Sequence, residues 1–359
     1  MESFLHCCLW SSFKAEYLFM SSKREARLIR EPEGVLPNSL ALAYAVTAQL
    51  CGLFLITREQ VPVVCLGILL TAHSMVIAAY LIHECAHMNL FRARALNRRA
   101  GELMAWIAGA AYTSFERIRH FHLRHHRDRA DVARFDYKQF LLEQPGWVRR
   151  LVYALEWAYI PAVELIMHAQ VLVSPFVDDA LKGERPRVLA VLASRVALFA
   201  WLFSVQPWSL LWFALAYLLF ITAMNFGDAF HHTFDQYFVA SDDEPVPMAG
   251  KDRAYEQSHT YSNLVSPQHP WLNLLTLNFG YHNAHHERAS VPWYRLPALH
   301  RGLYADEDLQ LLPYRQLWRT FHRNRLARIL DDDYGAVGEG DGRADGFVGA
   351  HGVSFLTVT

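Results

Sequence analysis

The sequence predicts an all-α integral membrane protein, with four transmembrane helices in two hairpins and a helical cap on the cytosolic side. Three observations carry this prediction. Four stretches approach the roughly 20 apolar residues needed to cross about 30 Å of hydrocarbon. Within each consecutive pair, the two stretches are separated by only a few residues. The arginines and lysines gather outside those two turns, as they do in the cytoplasmic segments of membrane proteins.

Composition agrees. Hydrophobic residues make up 53%, aromatic residues 13% and charged residues 19%, below the charged share of roughly 25% usual in soluble domains. Mean hydropathy is only +0.06, lower than spanning helices alone would give, so a substantial part faces water. The apolar content excludes disorder over most of the chain. With 34 basic and 35 acidic residues, the formal net charge is −1, which gives no bulk attraction to nucleic acid. Of the five cysteines, Cys7 and Cys8 are adjacent, Cys51, Cys65 and Cys85 lie in apolar stretches, and no CxxC pair exists. A disulfide framework or thiolate metal site is therefore not expected, although Cys7 and Cys8 are candidates for acylation.

Residues 1–38 are expected to be a cytosolic segment. Its start has no signal-peptide pattern, and Lys23, Arg24, Arg27 and Arg30 form a basic cluster. The spans are expected at about residues 39–57, 61–82, 188–203 and 208–226, the third interrupted by Arg195. Arg58-Glu59-Gln60 joins the first pair and Gln206-Pro207 the second. Nine arginines between Arg92 and Arg129, and a basic run from Arg315 to Arg328, follow the second and fourth spans. Both termini and both long segments should then be cytoplasmic. Residues 101–112 and 151–176 are apolar but interrupted, the latter by Glu156, Glu164 and His168. They read as helices in or against the interface. The alternative, a fifth and sixth span, would divide the histidine clusters between the two sides of the membrane. Residues 331–359 form an acidic, then glycine-rich tail with an apolar end, after a membrane domain expected over 39–330.

Nineteen histidines outnumber the eighteen glycines, and three clusters stand out. His83-Glu84-Cys85-Ala86-His87 closes the second span, His122-Leu123-Arg124-His125-His126 follows it, and His282-Asn283-Ala284-His285-His286 comes late. Positions i, i+3 and i+4 of a helix share a face, so each cluster is expected to present its imidazoles to one point. Neutral imidazole binds iron, zinc and copper. Eight such groups exceed the needs of one ion and suit two at close range. His232, just after the fourth span, is a further candidate ligand, favoured over His231. It follows Asp228 by four residues and Asn225 by seven, which makes those two candidate outer partners of the metal ligands. His73 is expected to be a hydrogen-bonded structural group. His6, His300, His322 and His351 are expected at the surface, and His120, His168, His259 and His269 remain candidate outer partners.

The three clusters resemble the histidine boxes of the membrane fatty acid desaturase superfamily, over roughly residues 40 to 300. HECAH at 83–87 is similar to the HECGH first box of Δ12 and ω3 acyl-lipid desaturases, HLRHH and HNAHH resemble the second and third boxes, and Pro292–Pro297 resembles the stretch that often follows them. The resemblance implies a four-helix stem under a cytosolic cap. The cap holds two non-haem iron ions on the boxes and on one further histidine, here His232. Where acyl-CoA desaturases place Asn four residues before that histidine, this chain has Asp228. The implied chemistry is O₂-dependent attack on an unactivated C–H bond of a fatty acyl chain linked to lipid, CoA or a carrier protein. Its outcome is a C=C bond when a second, neighbouring hydrogen is lost or an alcohol when OH rebounds, and a hydroxylase, ketolase or acetylenase of the same superfamily is the alternative reading. No cytochrome b5-like domain is fused, so a separate electron donor such as ferredoxin or cytochrome b5 is implied. Two other classes compete. A metal transporter would carry its ligands within the spans. A membrane zinc hydrolase would use the HExxH match at 83–87, with Glu84 as base.

Overall fold

The structure is a computed structural model that describes residues 28–234, 237–239, 244–247, 250–304, 310–338 and 343–357. The expectations for Lys23, Arg24, Arg27, His6, Cys7 and Cys8 lie outside the described residues. Helices α1 (Val35–Leu55) and α2 (Val61–Ala86) form the first hairpin. Pro62 sits in the first turn of α2, where no N–H partner is lost. The two backbones meet closely: a Cβ on Gly52 would lie 2.3 Å from Thr71 Oγ1, and one on Gly67 2.8 Å from the Ile56 nitrogen. Small residues at such crossings let helices pack where lipid supplies no hydrophobic drive.

Helix α3 (Arg94–Ala108) follows and packs on α2. It stops at Gly109, whose φ of +83° closes the last turn in the left-handed conformation that glycine adopts without cost. Helix α4 (Phe115–Asp128) carries the second histidine cluster. Helices α5 (Tyr137–Glu143), α6 (Gly146–Trp157) and α7 (Ala162–Val177) come next, α6 and α7 bent by 119° at a short break. This bent pair occupies the region read as interfacial helix. The second hairpin is α8 (Arg185–Val205) with α9 (Ser209–Asp228), tied where Ser209 Oγ donates to the Leu202 carbonyl at 2.9 Å.

Among the described residues, four helices are long and apolar enough to cross a membrane: Pro32–Leu55, Val61–Ala86, Asp179–Val205 and Ser209–Asp228. Large apolar side chains such as Leu40, Phe54, Leu189, Phe203, Leu211 and Leu219 point outward from them, as helices in hydrocarbon require. Each of the four expected stretches falls on one of these helices, whose own ends differ from the expected bounds by up to nine residues. The described residues are all-α apart from two short parallel strand pairs. Asp131–Ala133 pairs with Tyr237–Val239, and Ser262–Leu264 with Leu311–Pro313.

The cap is completed by α10 (Arg253–Ser258), α11 (His282–Glu287), α12 (Leu296–Leu303) and α13 (Tyr314–Asn324). The tail folds back into it. Gly349 N donates to the Tyr334 carbonyl (3.0 Å) and Ala350 N to that of Ala229 (2.9 Å). Arg328 Nε donates to the Val348 carbonyl (2.9 Å). Gly349 has φ +81°, and a Cβ there would meet the Ala229 oxygen at 2.7 Å.

Two surface expectations are corrected. His300 is buried beneath the Tyr281 ring at 5.2 Å. His351 is buried where the tail folds into the cap, its ring nitrogens 3.9 Å from the carboxylates of Glu156 and Glu164. His322 is exposed as expected. His73 is a hydrogen-bonded structural group, with Tyr44 Oη 2.5 Å from its Nδ1 and the Leu275 carbonyl 3.1 Å from its Nε2.

Candidate metal centre

The centre lies where α2 and α9 end, which puts both hairpins' cap-side ends at one face. His83 occupies the last turn of α2, and His87 caps that helix. α4 supplies His122, His125 and His126 before Arg129 ends it in the left-handed region. His232 follows α9 in an isolated antiparallel bridge to Thr260. The short α11 carries His282, His285 and His286.

The nine predicted ligands form two groups. His83, His87, His122, His126 and His285 make the first, and His125, His232, His282 and His286 the second. Within each, the ligand atoms lie within 4.8 Å of one another. The expectation that each cluster aims at one point is corrected. Histidines four apart stay together (122 with 126, 282 with 286), while His125 and His285 turn to the other group. One residue rotates the helix face by about 100°, so one short helix serves two points.

The spacing of the ring nitrogens suits shared ions. Nε2 separations are 3.0 Å for His83–His285, 3.2 Å for His126–His285 and His122–His126, and 2.6 Å for His87–His122. In the second group they are 3.1 Å for His125–His232 and 2.9 Å for His282–His232. Ligands about 2.1 Å from one ion at ordinary angles sit about 3 Å apart.

Tautomers decide the fit. His125 Nδ1 faces the Ala130 carbonyl at 3.1 Å and must donate. Thr260 Oγ1 gives its proton to the Glu256 carbonyl (2.7 Å), so the His232 Nδ1 beside it at 3.2 Å must also donate. His286 Nδ1 donates to the Glu256 carboxylate at 2.9 Å. A neutral imidazole has one N–H, so all three rings turn a lone pair inward on Nε2. Two such lone pairs 3.1 Å apart repel unless a cation lies between them. His286 Nε2 is buried with no partner among the described residues. Burial holds His122, His126, His232, His282, His285 and His286 well below the usual imidazole range and lowers His125 to about 4. They are neutral at pH 7, the form that binds metal. The residues therefore fit two ions with all-imidazole ligand sets.

The outer partners were mostly missed. Glu256 holds His286, takes a 3.1 Å bond from Arg129, and has a carboxylate oxygen grouped with His126 and His286. Asp131 lies 3.5 Å from His125 Nδ1. Neither has a local sequence signal, since folding alone brings them to the clusters. Asp228 and His231 line a cavity of about 60 Å³ beside His122, His125, His232 and His282, also walled by Gly352–Phe355 of the tail. His231 stacks on His282 at 4.0 Å and stands outside both groups. Asn225 lines a different cavity, with Phe321, Arg328 and His351. His168 and His259 bond the carbonyls of Glu164 and Tyr255.

Glu256→Ala is expected to weaken metal retention by about 10–100-fold, as loss of a carboxylate behind a ligating histidine generally does. A chelator titration of the purified protein checks it, with loss concentrated on one of the two ions.

Four spans under a cap with two buried imidazole groups define an integral membrane protein built around a paired histidine centre. A family model described as fatty acid desaturase matches residues 60–318, more than two thirds of the chain, and the chain belongs to that family. Such membership implies an oxidoreductase of lipid metabolism. A comparison with curated proteins finds no match.

Proposed function

We propose that the protein is an O₂-dependent fatty acyl desaturase that inserts a C=C bond into an acyl chain, with two iron ions held by His83, His87, His122, His125, His126, His232, His282, His285 and His286. The observation that carries this reading is the pair of buried, neutral imidazole groups at the cap end of the spans. Iron bound there would activate O₂ for attack on a C–H bond that no side chain can break. The chain's own residues do the rest. Glu256, Thr260 and the Ala130 carbonyl fix ring orientation, and Phe279, 4.7 Å from the His83 ring, together with Phe355, 5.7 Å from that of His122, keeps the site apolar. An apolar cavity within the membrane orients the acyl chain, where positioning decides which carbon reacts. Asp228 serves as an outer partner on the centre's cavity, and Asn225 as a more distant one. The acyl group arrives on lipid, CoA or a carrier protein, and electrons come from a separate donor such as ferredoxin or cytochrome b5. The distribution of arginines supports a cytoplasmic centre and cytoplasmic termini.

The geometry of Glu84 argues against the zinc hydrolase. Its carboxylate lies behind His83, 3.5 Å from Nδ1, and accepts the Trp293 N–H at 3.1 Å. A catalytic base would face the metal side of the ring.

The test is elemental analysis of the detergent-purified protein, followed by product mass with acyl lipids, reductant and O₂. One iron per histidine group and loss of two hydrogens from the product support the desaturase. Gain of oxygen moves the assignment to the hydroxylases and ketolases. A single zinc without iron discards the oxygen chemistry.

A further inference from the structure

We propose that the membrane-level cavity beside Arg195 seats a lipid chain carrying a hydroxyl group. This deepens, and rests on, the reading of the centre as an oxidant of lipid chains. The cavity measures about 300 Å³ and lies among α2, α3, α7, α8 and α9. Most of its wall is apolar, but Tyr112, His168, Arg195 and Tyr217 all line it.

Arg195 is the eleventh residue of the 21-residue α8, far from either end of its span. An arginine there is costly to keep and marks function more often than packing. It bonds the Trp106 carbonyl and the Tyr112 hydroxyl, and its guanidinium lies 5.7 Å from the Trp106 ring centre. With five N–H groups, it has donors to spare. The Tyr217 ring stands edge-on to His168 at 6.1 Å. Room for that ring comes from Gly109, where a Cβ would lie 2.9 Å from Tyr217 Cε2.

His168 supplies the opposite polarity. Its Nδ1 donates to the Glu164 carbonyl at 2.7 Å, so Nε2 carries a lone pair. That atom is buried and has no partner among the described residues. The cavity therefore offers donors from Arg195 and Tyr217 and one waiting acceptor. A hydrocarbon answers neither. A carboxylate or ether oxygen accepts, but has no proton for His168. A hydroxyl does both, donating to His168 Nε2 and accepting from Arg195 or Tyr217. Leu356 lines this cavity, and the ring of its neighbour Phe355 lies 5.7 Å from that of His122. A chain fixed by its hydroxyl would thus present a set carbon towards the centre.

The test is competition for tritiated 1-hexadecanol on the detergent-purified full-length protein, using 1-hexadecanol, 1-methoxyhexadecane and hexadecane. We expect the alcohol to compete roughly tenfold better than the ether or the hydrocarbon, the worth of one good buried hydrogen bond. Arg195→Met and His168→Leu should each erase that advantage while leaving the metal content unchanged. If Arg195→Met fails to fold, His168→Leu and Tyr217→Phe carry the test. Equal competition by hexadecane or by the ether, variants that keep the discrimination, or no saturable tracer binding each overturn the proposal. Assays of chain oxidation on the same preparations separate the two readings. Alcohol discrimination without any oxidation sinks the desaturase reading, whereas oxidation without discrimination sinks only the cavity's.

Discussion

Replacing His285 with alanine is expected to empty the first histidine group and to abolish oxidation of acyl chains while leaving the protein folded. His285 is fully buried, and its Nε2 lies 3.0 Å from that of His83 and 3.2 Å from that of His126. It is the one member of that group from α11, so it closes a cage otherwise built by α2 and α4. The remaining four imidazoles lose that closure, and on the proposed function, which needs two ions, a chain with one is inactive. We expect iron to fall from one per group to the second group alone, and turnover to drop by at least about 10³-fold, more than the 10–100-fold typical of outer partners. Elemental analysis beside product formation checks both. Retention of both ions would show that His285 is not a ligand. His282→Ala should empty the other group instead, and the pair of variants tests the division between the two.

Gly280→Ala is expected to cost both groups their metal, although it touches no ligand. A Cβ on Gly280 would lie 2.1 Å from the Asn263 carbonyl oxygen and 3.0 Å from its carbon. That oxygen is backbone in a strand paired with Leu311–Pro313, and it has no flexible end to swing aside. Either the strand or the start of α11 must move. α11 begins two residues later and carries ligands to both groups. A shift of about an ångström there is enough to spoil preorganised geometry. We expect a destabilisation of about 1–3 kcal/mol, in the range of overpacked sites, together with loss of most bound metal. A metal content equal to wild type would show that the strand yields freely.

How far the sequence speaks depends on the range of its signals. The four spans are written in runs of apolar residues, and the structure has them. Nine histidines are written in local spacing, and the structure gathers all nine. Their division between two points is not local. His125 and His126 are neighbours whose destinations differ because adjacent helix positions face about 100° apart, so that His126 joins the histidines of α2 and His125 joins His232 beyond α9. Glu256 lies 30 residues from the His286 it holds, and nothing in its own neighbourhood marks it. His300 and His351 read as surface residues because each stands outside the three histidine clusters. Their burial comes from partners far along the chain, Tyr281 for one and Glu156 with Glu164 for the other.

The inward fold of residues 343–357 also bears on how the protein is made. A ribosome builds from the N-terminus, and membrane helices enter the bilayer as they emerge. The ligands are complete once His286 has been made, but the wall beside them waits for Gly352–Phe355. Until those residues arrive, the cavity beside the second group lacks that wall. Closure of that cavity therefore comes after every one of the nine histidines is in place. A nascent protein stalled short of residue 350 would hold all nine histidines, yet lack the wall that, on the proposed function, shields an oxidant from solvent.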